Sequence, residues 1–396
     1  MLAIHDKKTP LRVLILISLA HCLNDTSQFL VIALYPLFKG NFDLSFTELG
    51  FLSFAYQMCA SVLQPAIGFY TDRHPHPRIL PTGMTFTLLG IVCMAFAANY
   101  VWLLAGCGLL GAGSAVFHPE SSRVAYMASA GKFGRAQSIF QVGGNIGQAI
   151  GPLIAAFFVV THGQRSLAFF AFIPLACCVT LIFISRWVAE QGRENSRRRQ
   201  VKNPAAPHPA WMRALVVLFV LMASKQIYTV SLANFFTFYL INRFGVSLEG
   251  SQVYLFLFLG AVALGGYVGG PVGDRIGRKW VIWFSILGAA PFSLALPYAG
   301  LAWTAALAVF VGFIMASSFS AILVFAQELT PGHVGAVAGL FFGLAFGLGG
   351  IGAALLGRLA DKTGIDLVYQ LCSYLPLVGL LTFFLPSQAK QKISAR

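Results

Sequence analysis

Residues 269–279 read GGPVGDRIGRK, with Asp274, Arg275, Arg278 and Lys279 set between two long apolar runs. Residues 68–78, GFYTDRHPHPR, repeat the frame of a glycine, three residues, then Asp-Arg. Gly68, Asp72 and Arg73 match Gly270, Asp274 and Arg275 at a constant separation of 202 residues. Phe42 and Ser45 match Phe244 and Ser247 at that same separation of 202. A phrase copied in register with its upstream flank marks a duplicated unit, and parallel halves of this kind build many membrane carriers, with the substrate site between them near the midplane. The string GRLADKTG at 357–364 is not a third copy, because helix parity places it on the other side of the membrane.

Composition supports the reading. Of the 396 residues, 57% are hydrophobic and 10% charged, where a soluble domain carries about 25% charged residues. Apolar runs of about 20 residues, each long enough to cross a bilayer as a helix, recur along the chain. The spans drawn from them are 12–38, 46–70, 79–98, 101–127, 134–160, 165–187, 213–241, 247–271, 280–299, 302–328, 334–358 and 366–386. The first is too long for a signal peptide's apolar core and no small-residue cleavage site follows it, so it reads as a span. The expected fold is an all-α membrane protein of twelve transmembrane helices. Residues 1–187 and 213–396 form two pseudo-symmetric six-helix bundles, joined by a basic, Pro-containing cytoplasmic linker at 188–212.

With the N-terminus inside, Lys39, Arg165, Arg243, Arg358 and Lys362 fall outside and Lys225 lies within a span; the remaining 21 of the 27 Lys and Arg fall inside. That bias predicts cytoplasmic termini. It also accounts for the net charge of +14 without nucleic acid, since loops facing an anionic leaflet carry it. The seven cysteines lie within predicted spans, none in a C-x-x-C pair, and are expected to be free thiols.

The phrase G-x-x-x-D-R-x-G-R-K at 270–279 resembles the signature loop of the major facilitator superfamily, complete in the second half and degraded in the first, where HPHP replaces the G-R-K tail. SLAHCLNDTSQFLVIALYP (18–36), LQPAIGFYTDRHP (63–75), FHPESSRVA (117–125) and AQSIFQVGGNIGQAIGP (136–152) are similar to its fosmidomycin-resistance family of bacterial inner-membrane drug exporters. The resemblance implies the facilitator fold and proton-driven efflux. It implies a gating latch at Asp72 near the start of span eleven, with Gly68 and Arg73 beside it and Gly270, Asp274, Arg275 and Arg278 as the second-half counterpart. Independently, an Asp at a membrane surface can pair with Arg or sit at a helix N-terminus, where the dipole favours an anion. Gly147-x-x-x-Gly151-Pro152 resembles the antiporter motif, although Ala155 and Ala156 replace the family's trailing glycines. Small residues four apart also permit ordinary close helix packing.

Buried charges are the most informative residues, since an ionisable group at the bilayer centre costs at least about 2.5–3.5 kcal/mol on insertion scales. Asp25 lies midway along span one and Lys225 at a similar depth of span seven, 200 apart and so near-equivalent in the repeat. They can neutralise each other, or trade partners with a proton and an anionic substrate. His21, one turn before Asp25, shares its face. Asn24, Gln28, Tyr228 and Asn234 are expected to line an aqueous cavity. In span four, Glu120 and Arg123 can pair three residues apart, beside His118. The proton-coupling candidates are therefore Asp25, Glu120, His21 and His118. The substrate-binding candidates are Lys225, Arg123, Asn24, Gln28, Tyr228 and Asn234.

No Ser-His-Asp order, metal-ligand cluster or P-loop string is present, so neither an enzyme, a metal nor a cofactor is expected and an ion gradient is the energy source. The expected function is proton-coupled antiport that exports a small anionic antibiotic such as fosmidomycin. The alternatives are export of a siderophore or other metabolite, or proton-coupled import. Expected partners are the substrate, protons and bacterial inner-membrane lipid, with no nucleic acid, and the chain is expected to be a monomer.

Overall fold

The computed structural model describes residues 8–44, 46–74, 76–199, 211–246 and 248–386, all of it helix and connecting turn. Helices are the economical solution in lipid, because each one satisfies its own backbone polar groups. In the first half of the chain they are α1 (Lys8–Ala33), α2 (Tyr35–Phe42), α3 (Phe46–Arg73), α4 (Ile79–Ala95), α5 (Tyr100–Met127), α6 (Phe133–Ile154) and α7 (Phe172–Arg199). In the second half they are α8 (Trp211–Phe244), α9 (Leu248–Ile276), α10 (Arg278–Ile286), α11 (Ala290–Ala295), α12 (Leu301–Ala316), α13 (Ser318–Leu329), α14 (Val334–Thr363) and α15 (Ile365–Ser373). Among the described residues, eight helical runs are long and apolar enough to cross a membrane, and two shorter apolar stretches, Ile79–Ala95 and Val334–Ala345, accompany them.

Several runs are interrupted where the sequence suggests continuity, and the causes are local. The run expected at 12–38 breaks at Leu34 between α1 and α2, because Pro36 brings no amide hydrogen to the ladder. Pro152 does the same to α6, and the next turn, Ala155–Val159, widens to a π-helix before Val160–His162 resumes. Pro291 and Pro297 break the expected span 280–299 into α10, α11 and short 3₁₀ turns. Helix α7, entered through a 3₁₀ stretch at Gln164–Ala171, runs on to Arg199, because the polar tail 188–199 contains no proline to stop it.

The chain forms two compact units. One holds Met1–Gly131, Ile139–Ala206 and Pro331–Gly343; the other holds Lys132–Ser138, Pro207–Thr330 and Leu344–Arg396. The beginning of α6 thus belongs with the second unit and the beginning of α14 with the first. In the first unit Leu30, Val31, Leu34, Ile91, Leu103 and Leu110 pack into one core. In the second, Leu232, Phe236, Tyr239, Phe258, Leu296 and Val368 form another.

Candidate functional site

Asp25 sits in the first unit, 1% exposed, at the centre of a buried polar cluster. Its Oδ1 accepts from Asn24 Nδ2 at 2.9 Å and its Oδ2 from Gln148 Nε2 at 3.0 Å. His21 Nε2 lies 3.5 Å from Oδ1, and His118 Nε2, from α5, lies 3.7 Å from the same oxygen. His21 Nδ1 donates to Phe140 O at 2.8 Å, and His118 Nδ1 to Ser114 O at 3.0 Å. A carbonyl oxygen only accepts, so Nδ1 carries the hydrogen in both rings. In the neutral rings both Nε2 lone pairs therefore face a carboxylate oxygen. The three ligand atoms fall within 4.8 Å of one another. Such a set of acceptors is satisfied by a small cation, and a proton on any one of them turns repulsion into a hydrogen bond.

Glycines let α6 bring this about. A Cβ at Gly144 would fall 2.5 Å from the His21 ring, and one at Gly147 would fall 2.3 Å from Cys22 O. Gly151 presses on Leu30 N in the same way, at 2.6 Å. The G-x-x-x-G stretch thus packs against α1 and carries Gln148 to Asp25; the side chain of Pro152 lies outside the described set. Gln28, one turn along α1, accepts from Tyr56 Oη at 2.6 Å.

The repeated phrase forms two further sites. In the first unit Asp72 Oδ1 accepts from Gly335 N at 3.0 Å and Oδ2 from Ala336 N at 2.8 Å, at the start of α14. Gly68 permits the approach, because a Cβ there would fall 2.2 Å from Gly335 O. Arg123 Nη1 reaches Asp72 at 3.8 Å and donates to Thr71 O at 2.8 Å, while its Nη2 pairs with Glu120 at 2.6 Å. Thr71 Oγ1 also donates to Glu120. In the second unit Asp274 accepts from Gly134 N at 3.0 Å and Arg135 N at 2.8 Å, at the start of α6. There a Cβ at Gly270 would fall 2.1 Å from Gly134 O. Arg278 joins Asp274 at 2.9 Å to Glu328 at 2.8 Å. Arg73 and Arg275 are exposed, Arg73 lying over the Phe69 ring at 3.9 Å.

The sequence candidates thus separate into groups. His21, Asn24, Asp25 and His118 come together, with Gln28 a turn away. Glu120, expected as a proton carrier, and Arg123, expected as a substrate ligand, both lie beside Asp72. Tyr228 lies in the apolar core of the second unit, and the side chain of Asn234 is outside the described set. Lys225 is 3% exposed in the second unit, its Nζ 5.2 Å from the Phe319 ring centroid; Asp25 and Lys225 belong to different units. Sequence reasoning placed Asp72 near the start of span eleven, where Gly335 and Ala336 meet it, but missed Thr71, Gln148 and the amides that meet Asp274. The Asp274 amides had a signal: Gly131-x-x-Gly134 recurs as Gly332-x-x-Gly335, and Gly131 and Gly332 take φ of 84° and 89° just before α6 and α14.

Comparison with known proteins gives consistent results. Residues 17–354 match the family model described as Major Facilitator Superfamily. The chain is 51% identical over 381 residues to the fosmidomycin resistance protein of Escherichia coli (strain K12), covering 96% of this chain and 94% of that one. It is 40% identical over 382 residues to an uncharacterized MFS-type transporter, YfnC, of Bacillus subtilis (strain 168), covering 96% and 93%. Its fold is similar to that of the E. coli fucose:proton symporter FucP, with a TM-score of 0.71 at 14% identity over 95% of this chain and 99% of that one.

Proposed function

Because this chain belongs to the Major Facilitator Superfamily, a class of non-catalytic secondary carriers, we propose that it is a proton-coupled antiporter that exports a small antibiotic of the fosmidomycin kind. Two six-helix halves, twelve spans in all, work by alternating access in a bacterial inner membrane, with both termini cytoplasmic. The chain acts as a monomer and needs no cofactor beyond the proton gradient.

The observation that carries this reading is the convergence of two imidazole lone pairs on the buried Asp25 carboxylate, in a chain 51% identical to a protein named for fosmidomycin resistance. Asp25, His21 and His118 lie close enough to share one proton, and among the described residues no Lys or Arg pairs with Asp25. Asp25 is the carrier, His21 and His118 share its proton, and Asn24 and Gln148 orient it. Glu120 is a poorer carrier, because Arg123 and Thr71 already occupy it. Asp72 and Asp274, with Gly68, Gly270 and Arg278, gate the cycle by holding and releasing the first turns of α14 and α6.

The test is transport by purified protein in liposomes. Wild type moves fosmidomycin uphill only when a proton gradient is imposed. Asp25→Asn keeps the shape but cannot cycle a charge, and it abolishes gradient-driven transport while the protein still inserts. Glu120→Gln retains the coupling. Full proton-driven transport by Asp25→Asn rejects the assignment, and uphill transport without any gradient rejects the antiporter.

A further inference from the structure

Lys225 stands at the middle of α8 with its ammonium buried against the Phe319 ring of α13. A ring face attracts a cation through its quadrupole but does not neutralise it. The nearby hydroxyls are spent on backbone carbonyls: Ser224 donates to Leu375 O at 2.7 Å, Thr229 to Lys225 O at 2.9 Å and Ser231 to Tyr228 O at 2.8 Å. The described carboxylates of this unit are engaged elsewhere. Asp274 and Glu328 share Arg278, and Asp366 faces Arg243 at 3.6 Å. The second unit therefore buries an amine for which its described residues supply no counter-charge. An ionisable residue inside a membrane-spanning bundle commonly marks a substrate or ion pathway.

We infer that Lys225 is the anion-binding group of the transport site and takes a phosphonate or carboxylate oxygen of the substrate. This inference rests on the exporter reading above and deepens it by naming the charge of the cargo. A compact ammonium with rotatable donors suits a tetrahedral or planar oxyanion equally, so the site selects charge before shape. Asp25 and Lys225, 200 residues apart on repeat-equivalent helices, then divide the work: α1 carries the proton and α8 the anion.

Binding to the purified full-length protein in detergent tests this without any gradient. The probes are fosmidomycin, its uncharged phosphonate diester and a carboxylate analogue of the same length. Wild type binds both anions and binds the diester at least tenfold more weakly. Lys225→Gln weakens both anions at least tenfold and leaves the diester unchanged. Lys225→Arg, which keeps the charge, retains part of the anion binding and guards against a simple folding defect. Equal anion affinity in wild type and Lys225→Gln overturns the inference. So does recovery of wild-type affinity when Asp25→Asn is added to Lys225→Gln, because Lys225 would then only have balanced Asp25. If anions bind in a Lys225-dependent way but no proton-driven transport occurs, the exporter reading fails and the anion site stands. If transport proceeds with Lys225→Gln at full rate, the reverse holds.

Discussion

Asp72 in the first unit and Asp274 in the second each bridge two successive amides at a helix start, one at 3.0 Å and the next at 2.8 Å in both cases. Their cations come from different places. Asp274 takes Arg278 from its own phrase, four residues on. The position 202 residues before Arg278 is His76, and Asp72 is served instead by Arg123, from α5. Arg123 brings Glu120 with it, a carboxylate only 3% exposed at the side chain, whereas Glu328 beside Arg278 is 28% exposed. The backbone part of the device is duplicated, because only a glycine pair and a carboxylate are needed to meet two free amides. The side-chain part has diverged, because several positions can deliver a cation to the same place.

The comparison can be broken most directly at the arginines. Arg123→Ala leaves Glu120 and Asp72 buried together without a cation, and should cost about 3–5 kcal/mol, the usual loss on breaking a buried pair. Arg278→Ala leaves Asp274 and Glu328 without their shared cation, and should cost less than that, because Glu328 keeps contact with water whereas Glu120 does not. Thermal unfolding of the two variants in detergent checks the asymmetry, and equal losses would mean that the two sites are energetically alike.

The glycines should behave symmetrically. Gly68→Ala and Gly270→Ala each drive a Cβ onto a carbonyl oxygen of the facing helix, at 2.2 Å and 2.1 Å. Both should lower stability by about 1–3 kcal/mol, as overpacking does, and similar drops in Tm would support a duplicated backbone contact.

Smaller effects are expected at the aspartates. Asp72→Asn weakens the charge-assisted bonds to Gly335 and Ala336, and their amides should exchange with deuterium roughly tenfold faster, the factor that about 1.4 kcal/mol gives. Asp274→Asn should do the same at Gly134 and Arg135 and leave the α14 amides protected. Hydrogen-exchange mass spectrometry separates the two. The smallest effect is expected from His76→Arg added to Arg123→Ala. Restoring the phrase's own arginine in an exposed loop should recover less than about 1 kcal/mol, read as a small rise in Tm over the single variant.

The repeat, the apolar runs and the placement of Asp25 and Lys225 were legible because each is a one-dimensional pattern. A span needs a length of apolar chain, a duplication needs a constant offset, and a buried charge stands out against oily neighbours. The assignment of Glu120 and Arg123 was not legible. Their spacing predicts a pair, and the pair forms, but nothing along α5 says that Thr71 and Asp72 of α3 lie beside it. Nor could the sequence say that His118 would join His21 rather than Glu120. Neighbouring positions on a helix point to different faces, and which helix meets each face is a matter of packing.

By itself the sequence determined that this is a multi-pass helical carrier, with a duplicated charged phrase and lone charges in the oil. Those properties follow from local composition and from the cost of placing charge in lipid. Tertiary structure alone decided which groups answer each charge. Gly144 and Gly147 let α6 press on α1 so that Gln148 meets Asp25. Carbonyls of α5 and α6 fix both histidine rings with Nε2 turned toward the carboxylate. The physical reason is range: hydropathy acts on each residue where it stands, whereas a hydrogen bond acts over about 3 Å and depends on a neighbour that folding brings from far along the chain.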